Sequence, residues 1–369
     1  MSDTLYSRVL NQIKENKEAR DRGEIVNIPL PFPRLSKYLP GFQKGRYIGV
    51  TANQKVGKTK ITDFLFLYNT YKFYLKNKDK MSLKIFYFCL EESKEKKMYE
   101  VMSYTLFEKF GLKVSPDELD SQFNDRPSLS QDIIEKLESL GSYFSEFQEV
   151  IEFIDDIRNP FGIYSRVRAY ADQNGTYTYK TIEKKEGNTV KKEQIEDYYT
   201  PNHPNEYVFI ITDHISLLTP EKSQGYEVRK AMEVFSRKYC MKMRDRWKYI
   251  VVNVHQQAQA TEGVQNKKAN KLQPSVDGLG ENKTLGRDYD LLLGLFSPHR
   301  HEITTYEGYP INEGGRGFRD KYREFSVIAN RRGPAISTDL LMLAEVNAFK
   351  ELPAIGTKEL TNLLLKYGV

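Results

Sequence analysis

The chain has 369 residues, 39% of them hydrophobic and 29% charged, with a net charge of +6. This composition is that of an ordinary soluble chain rather than a disordered one, large enough for one α/β domain with insertions or for two modest domains. There is no run of 18 apolar residues, and Met1 to Arg20 lacks an apolar stretch, so neither a membrane span nor a secretory signal is expected. Cys89 and Cys240 sit apart with no zinc-like Cys/His spacing, which fits reduced thiols in a cytoplasm. The mild basic excess permits a nucleic-acid partner without requiring one.

In chain order, residues 1–22 read as a charged helix whose Leu5, Val9, Leu10 and Ile13 form a short apolar stripe. Residues 27–45 are rich in Pro and Gly, with a short helix expected near Leu35–Leu39. Tyr47 to Thr51 predicts a buried strand, and a long aromatic-rich helix runs from Thr59 to about Leu75. LKIFYFCL (83–90) predicts a second strand, followed by a helix ending at Gly111. Residues 115–150 read as amphipathic helix, 150–156 as a short strand and 161–172 as helix. YVFIITD (207–213) is a strong strand, then a long helix, then strands at 249–255, 291–296 and 323–331. Strands alternating with helices predict an α/β fold, a mostly parallel sheet with helices on both faces. Tyr/Thr/Ile alternation over 176–200 breaks this rhythm and predicts an inserted β-hairpin turning near Gly187–Asn188. The expected organisation is an arm over 1–26, one nucleotide-binding domain over 27–345 carrying the insertion 173–205, and a C-terminal tail or helix over 346–369.

The chemistry starts at Ala52-Asn53-Gln54-Lys55-Val56-Gly57-Lys58-Thr59, between a strand and a helix. It matches G-x-x-x-x-G-K-[ST] except for Ala52, which is tolerable there if its φ is negative. Such a loop aims backbone N–H groups and a helix N-terminus at phosphate oxygens. Lys58 supplies a point charge for the β- and γ-phosphates of ATP, and Thr59 a hydroxyl for Mg²⁺. Asp213 ends the strand YVFIITD and is the expected second group on the Mg²⁺ side. The next residue is His214 rather than an acid, so the water-polarising carboxylate must come from elsewhere, and Glu91, at the end of LKIFYFCL, is the candidate base, with Glu92 beside it. Gln256, after the strand at 249–255, could sense the γ-phosphate, and Arg331, followed by Arg332, could reach a neighbouring subunit's phosphates. The polar stretch from Gln257 to Asp290 carries Lys267, Lys268, Lys271 and Lys283, a charge set suited to gripping a single-stranded DNA backbone, although a plain surface loop has the same composition.

With these residues assembled, the chain resembles the motor domain of DnaB-type replicative helicases from about residue 27 to 335. IFYFCLEES is similar to the family's S-L-E-M-S strand end, VFIITDHISLL to I-V-I-D-Y-L-Q-L, VVNVHQQAQ to V-I-A-L-S-Q-L-N-R, VDGLGENKTLGRDYD to D-L-R-E-S-G-A-I-E-Q-D-A-D, and VIANRRGPA to K-x-R-N-G-P. The resemblance implies a RecA-like fold, catalytic roles for Glu91, Gln256 and Arg331, and an ATP-driven motor on single-stranded DNA. It also implies a homo-oligomer, a hexameric ring, with primase or a loader as further partners, in the host cytoplasm if the chain is phage-encoded. Ala52, Ala329 and Gly280 depart from the family pattern, residues 173–205 have no counterpart in it, and the family's N-terminal helical domain is not recognisable. The competing readings are a RecA-like recombinase or recombination mediator, and a nucleotide-binding scaffold that turns ATP over slowly.

Overall fold

The structure is a computed structural model that describes residues 4–122, 124–125, 127–186, 189–221, 227–269, 271–312 and 317–367; within helices and strands, the side chains of residues 5, 8, 12, 184–186, 189–191, 281–283 and 367 are not described. The main sheet contains β1 (Tyr47–Ala52), β2 (Ser82–Cys89), β3 (Ile151–Ile154), β4 (Glu206–Asp213), β5 (Ile250–Gln256), β6 (Leu291–Phe296), β7 (Tyr322–Asn330), β8 (Ser337–Leu343) and β9 (Ala348–Glu351). Across the sheet they lie in the order β9-β8-β7-β6-β1-β5-β4-β2-β3.

The strands from β6 to β3 pair in parallel. Both faces of this part are covered, so its strands carry no polar alternation. Successive residues of β2 show why: Ile85 and Tyr87 enter one core with Phe66 and Phe209, while Phe86 and Phe88 enter the other with Tyr47 and Trp247. The sheet is RecA-like, mostly parallel and flanked by helices, as expected.

Three features differ from the sequence reading. First, β7, β8 and β9 are antiparallel, and the segment expected as a C-terminal tail supplies the edge strand β9. Leu341, Leu343, Val346, Leu352 and Leu360 form a small separate core there with Tyr309 and Tyr322. Second, the long helix after the P-loop is interrupted by a wider π-turn at Asp63–Tyr68, between Lys58–Thr62 and Asn69–Leu75. Third, residues 115–150 form separate helices at Pro116–Leu119, Gln131–Ser139 and Gly141–Val150. Gly111 does end its helix in the left-handed conformation at φ 70°.

The N-terminal helix Leu5–Asp21 is capped by the Thr4 hydroxyl, and its Val9 and Ile13 face solvent. The insertion is a two-stranded hairpin, Gly175–Glu186 against Thr189–Pro201. Its turn residues, Gly187 and Asn188, lie outside the described residues. Tyr177 and Tyr199 root it on the helix Met241–Trp247, where the Trp247 indole donates to the Tyr177 hydroxyl at 2.9 Å.

Candidate nucleotide site

All six parallel strands point their carboxyl ends to one edge of the sheet, where α/β folds bind ligands. The segment Ala52–Thr59 leaves β1 at that edge. Ala52 is the last residue of the strand and is not among those with positive φ, so its Cβ costs nothing there. Lys55 and Gly57 take the positive φ values the loop needs, 61° and 107°. A Cβ on Gly57 would come 3.1 Å from the Met342 methyl, so the loop is packed closely against β8. Lys58 begins the helix and is only 7% exposed.

A cavity of about 460 Å³ opens over this loop. Gln54, Lys55, Gly57, Lys58 and Thr59 line one side of it; Glu91, Glu92, Asp213 and Gln256 are among the residues lining the remainder, with Tyr87, Lys97, Glu100 and Arg323. Thus Glu91, Asp213 and Gln256, at or just past the ends of three strands, meet the loop at this cavity. Glu91 Oε2 lies 3.7 Å from Lys58 Nζ and 3.7 Å from His214 Nε2. Burial, together with the Lys58 charge, lowers the His214 pKa. Burial takes His255 down to about 4, so it is neutral at physiological pH. A base at Glu91 is therefore flanked by one fixed cation and one neutral imidazole.

Asp213 is 3% exposed, and its Oδ1 has no hydrogen-bond partner while Oδ2 accepts from Tyr87 at 3.2 Å. A buried carboxylate oxygen left unsatisfied beside a phosphate-shaped loop fits a hydrated Mg²⁺, with Thr59 supplying a hydroxyl. The residues present thus fit Mg²⁺ bound with a nucleoside triphosphate.

Two side chains at this site escaped the sequence reading. Arg323, 1% exposed at the start of β7, donates from Nε to the Val56 carbonyl at 2.7 Å, bracing the P-loop from behind. Its remaining bonds go to the Tyr322 carbonyl and to the carbonyl and carboxylate of Asp320. Gln257, 2% exposed, donates to both the Thr51 hydroxyl and the Ser275 carbonyl at 3.0 Å. An alternation of Gln residues was legible in HQQAQ, but which one faces the sheet was not.

The stretch after Gln257 is no loose linker. It holds short helical segments at Gln259–Glu262, Val264–Lys268 and Asp277–Arg287. Two contacts tie it to the phosphate loop: Asn53 donates to the Thr261 hydroxyl at 3.1 Å, and Arg300 bridges the Gln54 carbonyl at 2.9 Å to Glu262. Lys267, Lys268 and Lys271 are exposed on this stretch, Lys267 beside Glu302 at 3.3 Å. The Lys283 side chain lies outside what is described.

Arg331 does not join the cavity. It follows β7 at the opposite edge, where its Nη1 is 3.3 Å from Asp290 and its Nη2 donates to the Arg287 carbonyl at 2.6 Å. The six residues of β1 separate that edge from the P-loop, roughly 16 Å at ordinary strand rise. Positive charge crowds there: burial and the neighbouring Arg332 lower the Arg46 pKa. Arg331 therefore does not reach the cavity of its own chain.

No family model matches the sequence, and no curated protein matches it. Solved structures do match in shape. A DnaB-like replicative helicase, described with its interactions with primase, aligns over 96% of this chain and 69% of its own at a TM-score of 0.65 and 16% identity. The ATPase domain of G40P aligns over 96% of this chain and 100% of its own at a TM-score of 0.64 and 16% identity. The fold of this chain is that of the RecA-like ATPase domain of DnaB-like replicative helicases.

Proposed function

We propose that this chain is an ATP-dependent translocase on single-stranded DNA, a helicase motor of replication that acts as a homo-oligomeric ring. One observation carries the reading. The P-loop, the metal-side acid and the candidate base converge on one cavity, while the basic group that would complete it sits at the far edge of the same sheet. A site divided in this way is finished by a second copy of the chain. ATP supplies the γ-phosphoryl group, and Mg²⁺ neutralises charge on its oxygens. On the protein side, Lys58 and the loop amides hold the phosphates, Asp213 and Thr59 orient the metal shell, and Glu91 takes the proton of the attacking water. Primase or a loader and a cytoplasmic setting belong to the same proposal; among the described residues no helix is long and apolar enough to cross a membrane.

The function is tested by ATP turnover with and without single-stranded DNA, and by strand displacement from a forked duplex. DNA-stimulated turnover with displacement is expected. Stimulated turnover on protein filaments without displacement would favour the recombinase reading, and turnover indifferent to DNA the scaffold reading. In the same assays, Glu substitution at Lys267, Lys268, Lys271 and Lys283 should weaken single-strand binding and flatten its salt dependence by up to one unit of log–log slope per lost phosphate contact. DNA-free turnover should persist, and unchanged DNA affinity would reduce the stretch to a surface feature.

Arg331→Ala should bind ATP normally and hydrolyse it poorly, because its own cavity is untouched. A transferred arginine is worth about 10³–10⁵ in rate in the systems that use one. Mixing Arg331→Ala with Glu91→Gln protein should recover part of the rate, because some interfaces then pair an intact Glu91 with an intact Arg331. A mixture no faster than its components, with subunit exchange demonstrated, would rule out the cross-subunit role.

A further inference from the structure

Beside the metal-side acid lies a polar cluster to which the proposed function gives no role, although its Tyr87, Lys97 and Glu100 line the same cavity. Asp63 is fully buried at the π-turn of the P-loop helix. Lys97, 2% exposed, reaches it from the helix Lys94–Phe110 with Nζ 2.9 Å from Oδ2, and also contacts Glu100 at 2.8 Å. Burial alone would lower the Lys97 pKa, but the two carboxylates outweigh it and hold the ammonium well above its usual range. Tyr87, fully buried on β2, connects this cluster to Asp213. Its hydroxyl lies 2.6 Å from Asp63 Oδ1 and 3.2 Å from Asp213 Oδ2. A phenol has one proton to give, so donation to Asp213 requires Asp63, whose pKa burial raises to about 7, to carry the proton shared across the 2.6 Å contact.

A lone ion pair buried in a core adds little stability over apolar side chains of the same size. Its placement here, one hydroxyl away from Asp213, gives it a second use. Among the described residues, the Asp213 carboxylate has no other hydrogen-bond donor, and its Oδ1 stands unpartnered. Around the χ2 bond, a carboxylate with a single anchor is fixed by that anchor alone. Tyr87 is in turn fixed by Asp63, and Asp63 by Lys97.

Building on the nucleotide-site reading above, we propose that Tyr87 is a positioning residue for the metal-side acid. It clamps Oδ2 of Asp213 so that Oδ1 faces the P-loop, and the Asp63–Lys97 pair holds Tyr87 in place. The chain thereby sets the orientation of its metal-side carboxylate from the P-loop helix and the helix after Glu91, the two elements flanking the cavity. Partners behind a metal ligand are worth 10–100-fold in metal affinity or activity in the sites where they have been measured.

The test is binding rather than turnover. A fluorescent ADP analogue is titrated into the full chain across a Mg²⁺ series and in EDTA, for wild type and Tyr87→Phe, with thermal unfolding followed in parallel. The Phe variant keeps the ring and removes only the hydroxyl. The Mg²⁺ concentration giving half of the metal-dependent gain in affinity should rise about tenfold, while affinity in EDTA stays that of wild type. An unshifted Mg²⁺ midpoint overturns the proposal. So does an equal loss of affinity with and without Mg²⁺ alongside a lower unfolding temperature, because that is general loosening of the core. A wild-type chain that binds no nucleotide in either condition overturns the site reading itself, and the role of Tyr87 with it.

Discussion

Glu91→Gln should leave nucleotide binding intact and slow hydrolysis by about 100-fold or more, the usual scale for a lost acid–base group. The carboxylate is half exposed at the mouth of the cavity, with Oε2 3.7 Å from Lys58 Nζ and from His214 Nε2. The amide has the same shape, so the loop and its packing survive. What disappears is an oxygen able to take a proton from water. Single-turnover phosphate release and the nucleotide dissociation constant, measured together, separate binding from chemistry. Glu92 lines the same cavity, and burial together with Glu100 raises its pKa. If Glu92→Gln is the slow variant while Glu91→Gln turns over normally, the base lies one residue later than assigned.

Lys58→Ala should abolish tight ATP binding and turnover together. The ammonium starts the P-loop helix and is 7% exposed, so the charge it offers is poorly screened by water. A hydrogen bond to a charged group contributes about 1.5–3 kcal/mol, which is roughly 10- to 150-fold for one phosphate contact and more for two. The same substitution removes the cation 3.7 Å from Glu91, so any ATP that still binds meets a base with altered surroundings. Equilibrium binding of a nonhydrolysable ATP analogue and steady-state turnover are the measurements. Near-wild-type values in both would remove the P-loop reading altogether.

The strands of the parallel half were legible because each is a short, nearly unbroken apolar run ending at a polar residue, and that ending marks the ligand-bearing edge. Asp213 and Glu91 could be placed for this reason. The antiparallel edge was not legible. S-T-D-L-L-M-L has too many polar residues at its start, and Ala348–Glu351 is too short, to stand out from loop. The Asp63–Tyr87–Lys97 cluster was hidden for a different reason. Lys97 sits in K-E-K-K, which reads as a solvated helix face, and its partner is 34 residues away on another helix. Arg323 looked like an ordinary basic residue at a strand start, since nothing local reveals that its guanidinium ends on the Val56 carbonyl. Periodicity reports which face of an element is buried; it does not report which distant group satisfies a buried charge.

The inserted hairpin leaves and rejoins the domain at one place. Gly175 pairs with Pro201, and the Asn202 amide donates to the Asn174 carbonyl at 2.8 Å. Its two ends are therefore neighbours before the insertion begins, and the order of the main sheet is the same with or without it. Joining two such ends through a long or a short connection differs only slowly in chain entropy, by about 0.6 kcal/mol for each doubling of length. The hairpin is thus a graft site that the domain carries at small thermodynamic cost. The tie to the domain is side-chain contact at its root, through Tyr177, Tyr199 and the Arg168–Glu196 ion pair, so length and sequence beyond that root are free to diverge without disturbing the sheet beneath.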